Sequence, residues 1–283
     1  IIIDEEHEQT YKSENSPRYH AREVAVQRAR MEGAKVVLGS ATPSLEAYTR
    51  AKNGEYALVE MNTRFADRPL PEVSIVDLRE ELKAGNRSAL SRPLKKAIYK
   101  RLKEKKQTIL FLNRRGYAGF VSCRSCGTAL KCPHCDVALT EHNNGKLMCH
   151  YCGYERARVD QCPTCGSPYI GGFKAGTQQI EQVLHKNFPD ARILRMDYDT
   201  TRTKGSYEKI LASFAAHEAD ILVGTQMIVK GHDFPEVTLV GAVAADLSLN
   251  AADFRCSERT FQLLTQAVGR SGRGTVPGEA IIQ

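Results

Sequence analysis

The sequence predicts an α/β protein: two lobes built on parallel sheets, with a small two-zinc ribbon inserted in the second. Three observations predict it. Short apolar runs alternate with segments of helical periodicity along the chain, as strand–helix–strand layers require. A stretch at 62–71, holding Asp67, Pro69 and Pro71, has linker chemistry and splits these runs into two groups. Four Cys-x-x-Cys pairs crowd between Cys123 and Cys165, a spacing suited to metal knuckles. The expected divisions are 1–64 for the C-terminal part of a first lobe and 65–122 for the start of a second. The insert is expected at 123–166 and the rest of the second lobe at 167–283.

Ile1–Ile3 reads as the end of a buried strand running into an acidic turn. Tyr19–Met31 predicts a helix, with Val24, Ala25 and Arg28 at helical spacing. Lys35–Leu38 is an apolar run ending at Gly39, a strand then a loop, and Ser44–Lys52 resumes helix. Tyr56–Met61 reads as a further strand and Val73–Val76 as the first of the second group. Ser91 can cap a helix with Pro93 in its first turn and Leu94, Ile98 and Leu102 on one face. Its basic run from Lys95 to Lys106 reads as a solvated face. Gln107–Leu112 is the next strand. Beyond the cysteines, Gly176–Phe188 predicts a helix, and Arg192–Met196, Asp220–Val223 and Val237–Val243 predict strands. A helix over Ser257–Ala267 leads into the last motif.

The chain has 283 residues, enough for two domains and an insert. It opens on Ile without Met and stops inside an apparent strand, so a piece of a longer protein is expected. No apolar run approaches the ~18 residues of a membrane span, so no membrane partner is expected. Eight thiolates (−8) and two Zn²⁺ (+4) would bring the formal charge of +7 to +3. Bulk charge is therefore a mild pointer to nucleic acid, and local clusters matter more. Eight of nine cysteines fall in identical pairs; thiols used this way imply a reducing, cytoplasmic setting.

Asp4-Glu5-Glu6-His7 follows an apolar strand. In a nucleotide site the first acid can hold Mg²⁺ and the second can orient or deprotonate the attacking water. An acidic turn after a strand is the plainer alternative. Gly39-Ser40-Ala41-Thr42 also follows a strand, and its hydroxyls can bond carboxylates or simply cap a helix. Gly224-Thr225-Gln226 and Lys230-Gly231-His232-Asp233 lie beyond another strand, where a loop can face nucleotide or nucleic acid. Gln266-x-x-Gly269-Arg270-x-Gly272-Arg273 is sharper. Two arginines three apart would share one helix face and suit a bidentate grip on phosphate.

The cysteine pairs are Cys123/Cys126, Cys132/Cys135, Cys149/Cys152 and Cys162/Cys165, three of them followed by Gly127, Gly153 and Gly166. Eight soft thiolates fill two closed tetrahedral sites, with no position left for water, so both zincs read as structural. Thirteen residues separate the inner pairs and five separate the first from the second. That favours nesting, with sequential pairing as the alternative. His134, His142 and His150 are further potential ligands that four-cysteine sets do not need.

In this order the four motifs resemble motifs II, III, V and VI of superfamily 2 helicases. With the eight-cysteine insert, and with Asn113-Arg114-Arg115-Gly116-Tyr117 and Asp253-Phe254-Arg255, the chain resembles the primosomal replication-restart helicases of bacteria. That resemblance implies two RecA-like lobes that bind ATP between them, and 3′-to-5′ unwinding of forked and single-stranded DNA. It implies single-stranded DNA-binding protein and primosome-loading proteins as partners, and a monomer. It assigns Asp4, Glu5, His7, Gln266, Arg270 and Arg273 to catalysis. Asp4 and Glu5 with Gly231, Asp233, Arg270 and Arg273 would hold ATP and Mg²⁺. Ser271 stands where that family more often has Ala. The family's Lys-containing phosphate loop lies outside this chain, so the chain alone is expected to be inactive. Tyr19, His20 and Arg22, aromatic beside basic, suit stacking with phosphate pairing; Arg114, Arg115 and Thr225 complete the expected DNA contacts. The other functional readings are a translocase that does not unwind and a zinc-binding adaptor.

Overall fold

The computed structural model describes residues 1–283 except 65–66, 114–119, 143, 173–175, 230–232 and 251–252. The chain divides into two compact units, Ile1–Thr63 and Arg64–Gln283.

In the first unit, β1 (Ile2–Ile3) leads through the acidic turn to α1 (Ala21–Glu32), then β2 (Val37–Leu38) and α2 (Leu45–Lys52). β1 and β2 pair in parallel, Ile3 opposite Leu38. Ile3, Ala25, Ala29 and Ala47 are buried. In the expected strand Ile3 is buried and Ile2 is 79% exposed. On α1, Arg22, Ala25 and Ala29 are buried at the i, i+3, i+7 spacing of one face, and Val24 and Arg28 point outward. His20 caps this helix, its ring accepting from the Arg22 N–H, and Gly33 ends it at φ +63°. Tyr56–Met61 forms no strand; with Val59 84% exposed, an apolar run that meets no partner strand stays irregular.

The second unit is a six-stranded parallel sheet. Its elements begin with β3 (Glu72–Ile75), α3 (Leu78–Lys83), α4 (Arg92–Lys103) and β4 (Gln107–Leu112). The cysteine region then contributes β5 (Val121–Cys123), β6 (Thr140–Glu141), β7 (Lys146–Met148), β8 (Glu155–Ala157) and β9 (Ile170–Gly172). The sheet resumes with α5 (Thr177–Asn187), β10 (Ile193–Met196), α6 (Ser206–Ala215), β11 (Ile221–Gly224), β12 (Val237–Val243), α7 (Cys256–Val268) and β13 (Glu279–Ile282). The strand order is β10-β11-β4-β12-β13-β3, every pair parallel.

Central β4 is buried at all six residues, as a strand covered on both faces must be. Leu110 and Leu112 pack with Leu94 and Ile98 of α4 and Ile180 and Leu184 of α5. Ile109 and Phe111 pack on the other face with Phe214 of α6 and Ala267 of α7. Each fully buried Leu, Ile or Phe among them contributes roughly 1.5–3 kcal/mol. Helix α4 starts as its sequence predicts: Ser91 Oγ accepts from the Leu94 N–H at 3.3 Å. Its basic face is not wholly solvated, since Arg101 is buried and bonds Glu279 at 2.8 Å. Helix α6 has no counterpart in the sequence reading. It opens at Gly205, φ +81°, with no side-chain cap.

The cysteine region is a separate ribbon with a small core of its own, including Val121, Leu130, Leu139, Leu147 and Ile170. β5 and β9 pair antiparallel at its base, and β6, β7 and β8 form a three-stranded sheet.

Candidate functional site

The four knuckles repeat one local geometry. In each, the first cysteine's carbonyl accepts from the backbone N–H four residues on: Gly127 to Cys123 (2.8 Å), Asp136 to Cys132 (3.0 Å), Gly153 to Cys149 (2.9 Å) and Gly166 to Cys162 (2.8 Å). The donor has positive φ every time, +81°, +54°, +74° and +70°. Three are glycines, for which that region carries no steric cost; Asp136 tolerates it as a short polar residue.

The sulfurs gather as two nested quartets: Cys123, Cys126, Cys162 and Cys165, and Cys132, Cys135, Cys149 and Cys152, each within 4.8 Å. Sulfur–sulfur distances are 3.7 Å for Cys123–Cys165 and Cys126–Cys162, and 3.6 Å for Cys132–Cys152. Four ligands at the Zn–S length of about 2.3 Å stand about 3.8 Å apart in a tetrahedron. The quartets therefore fit zinc, with no fifth ligand needed. Taken as thiols, Cys126 is held down to about 6 by Thr128, and Cys149 to about 7 by the Cys152 N–H. Cys135, facing the Cys152 sulfur, is pushed up to about 12. Each quartet thus holds a thiol whose surroundings favour the thiolate, and a metal would displace the remaining protons.

In the first unit, Asp4 is exposed at the end of β1, and its Oδ1 accepts the Glu5 N–H at 2.9 Å. Glu5 has φ +49°, a strained value for a non-glycine residue. His7 Nδ1 and Ser40 Oγ are hydrogen bonded at 2.8 Å, and Ser40 Oγ also accepts the Thr42 N–H at 2.9 Å. The acidic turn is thereby tied to Gly39–Thr42.

Glu6, absent from the sequence-based site, is the best-held member of the turn. It is 2% exposed; Arg22 Nη1 donates to Oε2 at 2.8 Å, the Ser44 N–H to Oε1 at 2.6 Å and Ser44 Oγ to Oε2 at 3.0 Å. This corrects the reading of Arg22 as a DNA contact. At 7% exposure, its guanidinium is occupied by Glu6 and by Ser44 Oγ at 2.8 Å. Tyr19 is 52% exposed and His20 half-buried, beside the bridge Lys12–His20.

In the second unit, α7 stops at Val268, and Arg270 and Arg273 lie in the turn after it. This corrects the expectation that they share a helix face. Ser271 Oγ reaches the Thr238 and Glu279 carbonyls at 3.2 and 3.0 Å, and the Gly272 N–H donates to Val237 O at 3.1 Å. A Cβ on Gly278 would stand 2.3 Å from Ser271 Oγ, so the turn lies against a glycine by necessity. Arg273 Nε donates to Gly269 O at 3.0 Å, and its Nη1 stands 3.7 Å from Asp233 Oδ1. Two residues predicted from separate motifs thus meet. Gln266 is half-buried in the last turn of α7; Thr225 is half-buried just past β11. Gly231, Arg114 and Arg115 lie outside the described residues.

A six-stranded parallel sheet that carries a glycine–arginine turn after its last helix, in one unit with a twin four-cysteine ribbon, is a RecA-like α/β lobe with a zinc-ribbon insertion. Residues 172–275 match the helicase conserved C-terminal domain, and 132–156 match the PriA DNA helicase Cys-rich region domain. The chain is 54% identical to the replication restart protein PriA of Bacillus subtilis (strain 168) and 50% to that of Synechocystis sp. (strain ATCC 27184 / PCC 6803 / Kazusa). It is 46% identical to that of Chlamydia pneumoniae. Each match covers 100% of this chain and 35%, 35% and 38% of the relative, so the chain spans about a third of their length. The chain is homologous, from end to end, to the PriA replication restart helicases.

Proposed function

We propose that this chain carries motor residues of an ATP-dependent 3′-to-5′ DNA helicase acting in replication restart and primosome assembly at stalled forks and D-loops. The observation that carries the proposal is the likeness to PriA proteins along the whole chain, ribbon included. Asp4 would hold Mg²⁺, which when bound with ATP supplies charge neutralisation at the phosphates. Glu5 orients and deprotonates the attacking water. His7, bonded to Ser40, ties that turn to the neighbouring loop. Gln266, Gly231 and Asp233 border the nucleotide, and Arg270 and Arg273 bind the charge that develops on its terminal phosphate. Tyr19, His20, Arg114, Arg115 and Thr225 contact the DNA strand; Arg22 acts behind them by holding Glu6. The two zincs are structural. Partners are forked and single-stranded DNA, single-stranded DNA-binding protein and primosome-loading proteins; the protein works as a monomer in the cytoplasm.

The test is Glu5→Gln in the full-length protein. ATP binding is expected to persist while DNA-stimulated hydrolysis is lost; near-normal turnover overturns the assignment. Strand displacement on forked DNA then separates unwinding from translocation alone, since a pure translocase releases no strand.

A further inference from the structure

Arg64 and Gly269 are 205 residues apart, yet Arg64 Nη2 donates to Gly269 O at 3.2 Å. This is the oxygen that Arg273 Nε takes at 3.0 Å. Both residues belong to the second unit. Two guanidinium groups therefore converge on one carbonyl. Like charges placed together in this way repel, and burial together with Arg273 lowers the Arg64 pKa. The arrangement is sustained because Gly269 caps α7, where helix carbonyls lack intrahelical partners and carry partial negative charge. The same guanidinium is also held through Nη1, which donates to Pro69 O at 3.2 Å, and at the main chain the Asp67 N–H donates to the Arg64 carbonyl at 3.0 Å.

We infer that Arg64 is a positioning residue for the arginine turn. It holds the Gly269 peptide so that Arg273, anchored on the same oxygen through Nε, projects its outer nitrogens in one direction. The turn needs such an anchor, because Gly269 and Gly272 give its backbone more freedom than any other residue would. A displacement near 1 Å in a group that stabilises transferred charge costs on the order of 100-fold in rate. The inference rests on the helicase reading given above.

The experiment compares Arg64→Gln, Arg64→Lys and Arg273→Ala in the full-length protein. DNA-stimulated ATP hydrolysis and thermal unfolding are followed together. Arg64→Gln is expected to lower kcat at least about tenfold with KM for ATP within about twofold. Arg64→Lys, which keeps the charge and one donor, is expected to recover part of the loss. A purely structural role would instead lower the unfolding temperature and leave kcat per folded molecule unchanged, and that result overturns the inference. So does normal kcat in Arg64→Gln when Arg273→Ala is dead. If the unmodified protein shows no DNA-stimulated hydrolysis, the helicase reading fails and this inference falls with it.

Discussion

Glu6 and Arg22 form an ion pair sealed inside the first unit, Oε2 to Nη1 2.8 Å, with Ser44 bonded to both partners. The pair joins the acidic turn, the first turn of α1 and the N-cap of α2, three segments that a two-stranded sheet alone would hold poorly. Removing one member leaves the other charged and buried, a loss of about 3–5 kcal/mol. Arg22→Met is therefore expected to destabilise the first unit by that amount in urea unfolding. Arg22→Met with Glu6→Gln is expected to recover a large part of it, because the orphan charge is gone. Equal losses in the single and double variants would show that packing, not charge, sets the cost.

The ribbon core is small, and its strands are two or three residues long. Metal binding then has to supply much of its folding energy. Metal analysis is expected to return two zinc ions per chain, matching the two quartets, and Cys132→Ser one. Chelation is expected to abolish amide protection across 121–172 while the parallel sheet keeps its own. Protection that survives chelation in the ribbon would refute a metal-held fold.

The parts legible in the sequence are those where local pattern and burial coincide. β4 is apolar on both faces and buried on both; the cysteine spacing favoured the nesting that the sulfurs adopt. Two of the failures have local causes. Arg22 beside Tyr19 read as a nucleic-acid contact, although its spacing to Ala25 and Ala29 already placed it on the inward face. Tyr56–Met61 read as a strand because an apolar run does not reveal whether a partner strand exists. Helix α6 has its apolar residues Tyr207, Ile210, Leu211 and Phe214 at helical spacing, so its absence from the sequence-based elements is not explained by the pattern. Arg64 meets Gly269 across 205 residues, a contact no local pattern announces.

Ser271 is buried, with its hydroxyl between the Thr238 and Glu279 carbonyls of neighbouring strands. One net hydrogen bond in such a place is worth about 1 kcal/mol. Ser271→Ala is expected to lose about that much in denaturant unfolding while Arg270 and Arg273 keep their places. The DNA-stimulated ATPase rate of the full-length protein should stay within about twofold of the parent, since neither arginine is touched. A much larger loss would mean that the hydroxyl also sets the turn's conformation.

Asp197 follows β10 and is nearly buried. Burial alone would raise its carboxyl. The Thr177 hydroxyl at 2.5 Å, the Thr200 N–H at 3.0 Å and the Arg195 guanidinium at 3.1 Å outweigh burial and hold it below the usual carboxylate range. A carboxyl whose folded pKa is depressed adds stability that is fully present above its unfolded value, about 3.9. That stability is lost as pH falls through the folded value. Asp197→Asn removes the ionisable group and the Arg195 attraction but keeps an acceptor for Thr200. The variant is expected to be less stable than the parent at neutral pH, with the gap constant down to about pH 5 and closing below about pH 4. Unfolding midpoints measured in urea from pH 7 to pH 3 check this. A gap that persists unchanged at pH 3 would mean that Asp197 contributes through geometry and not through its charge.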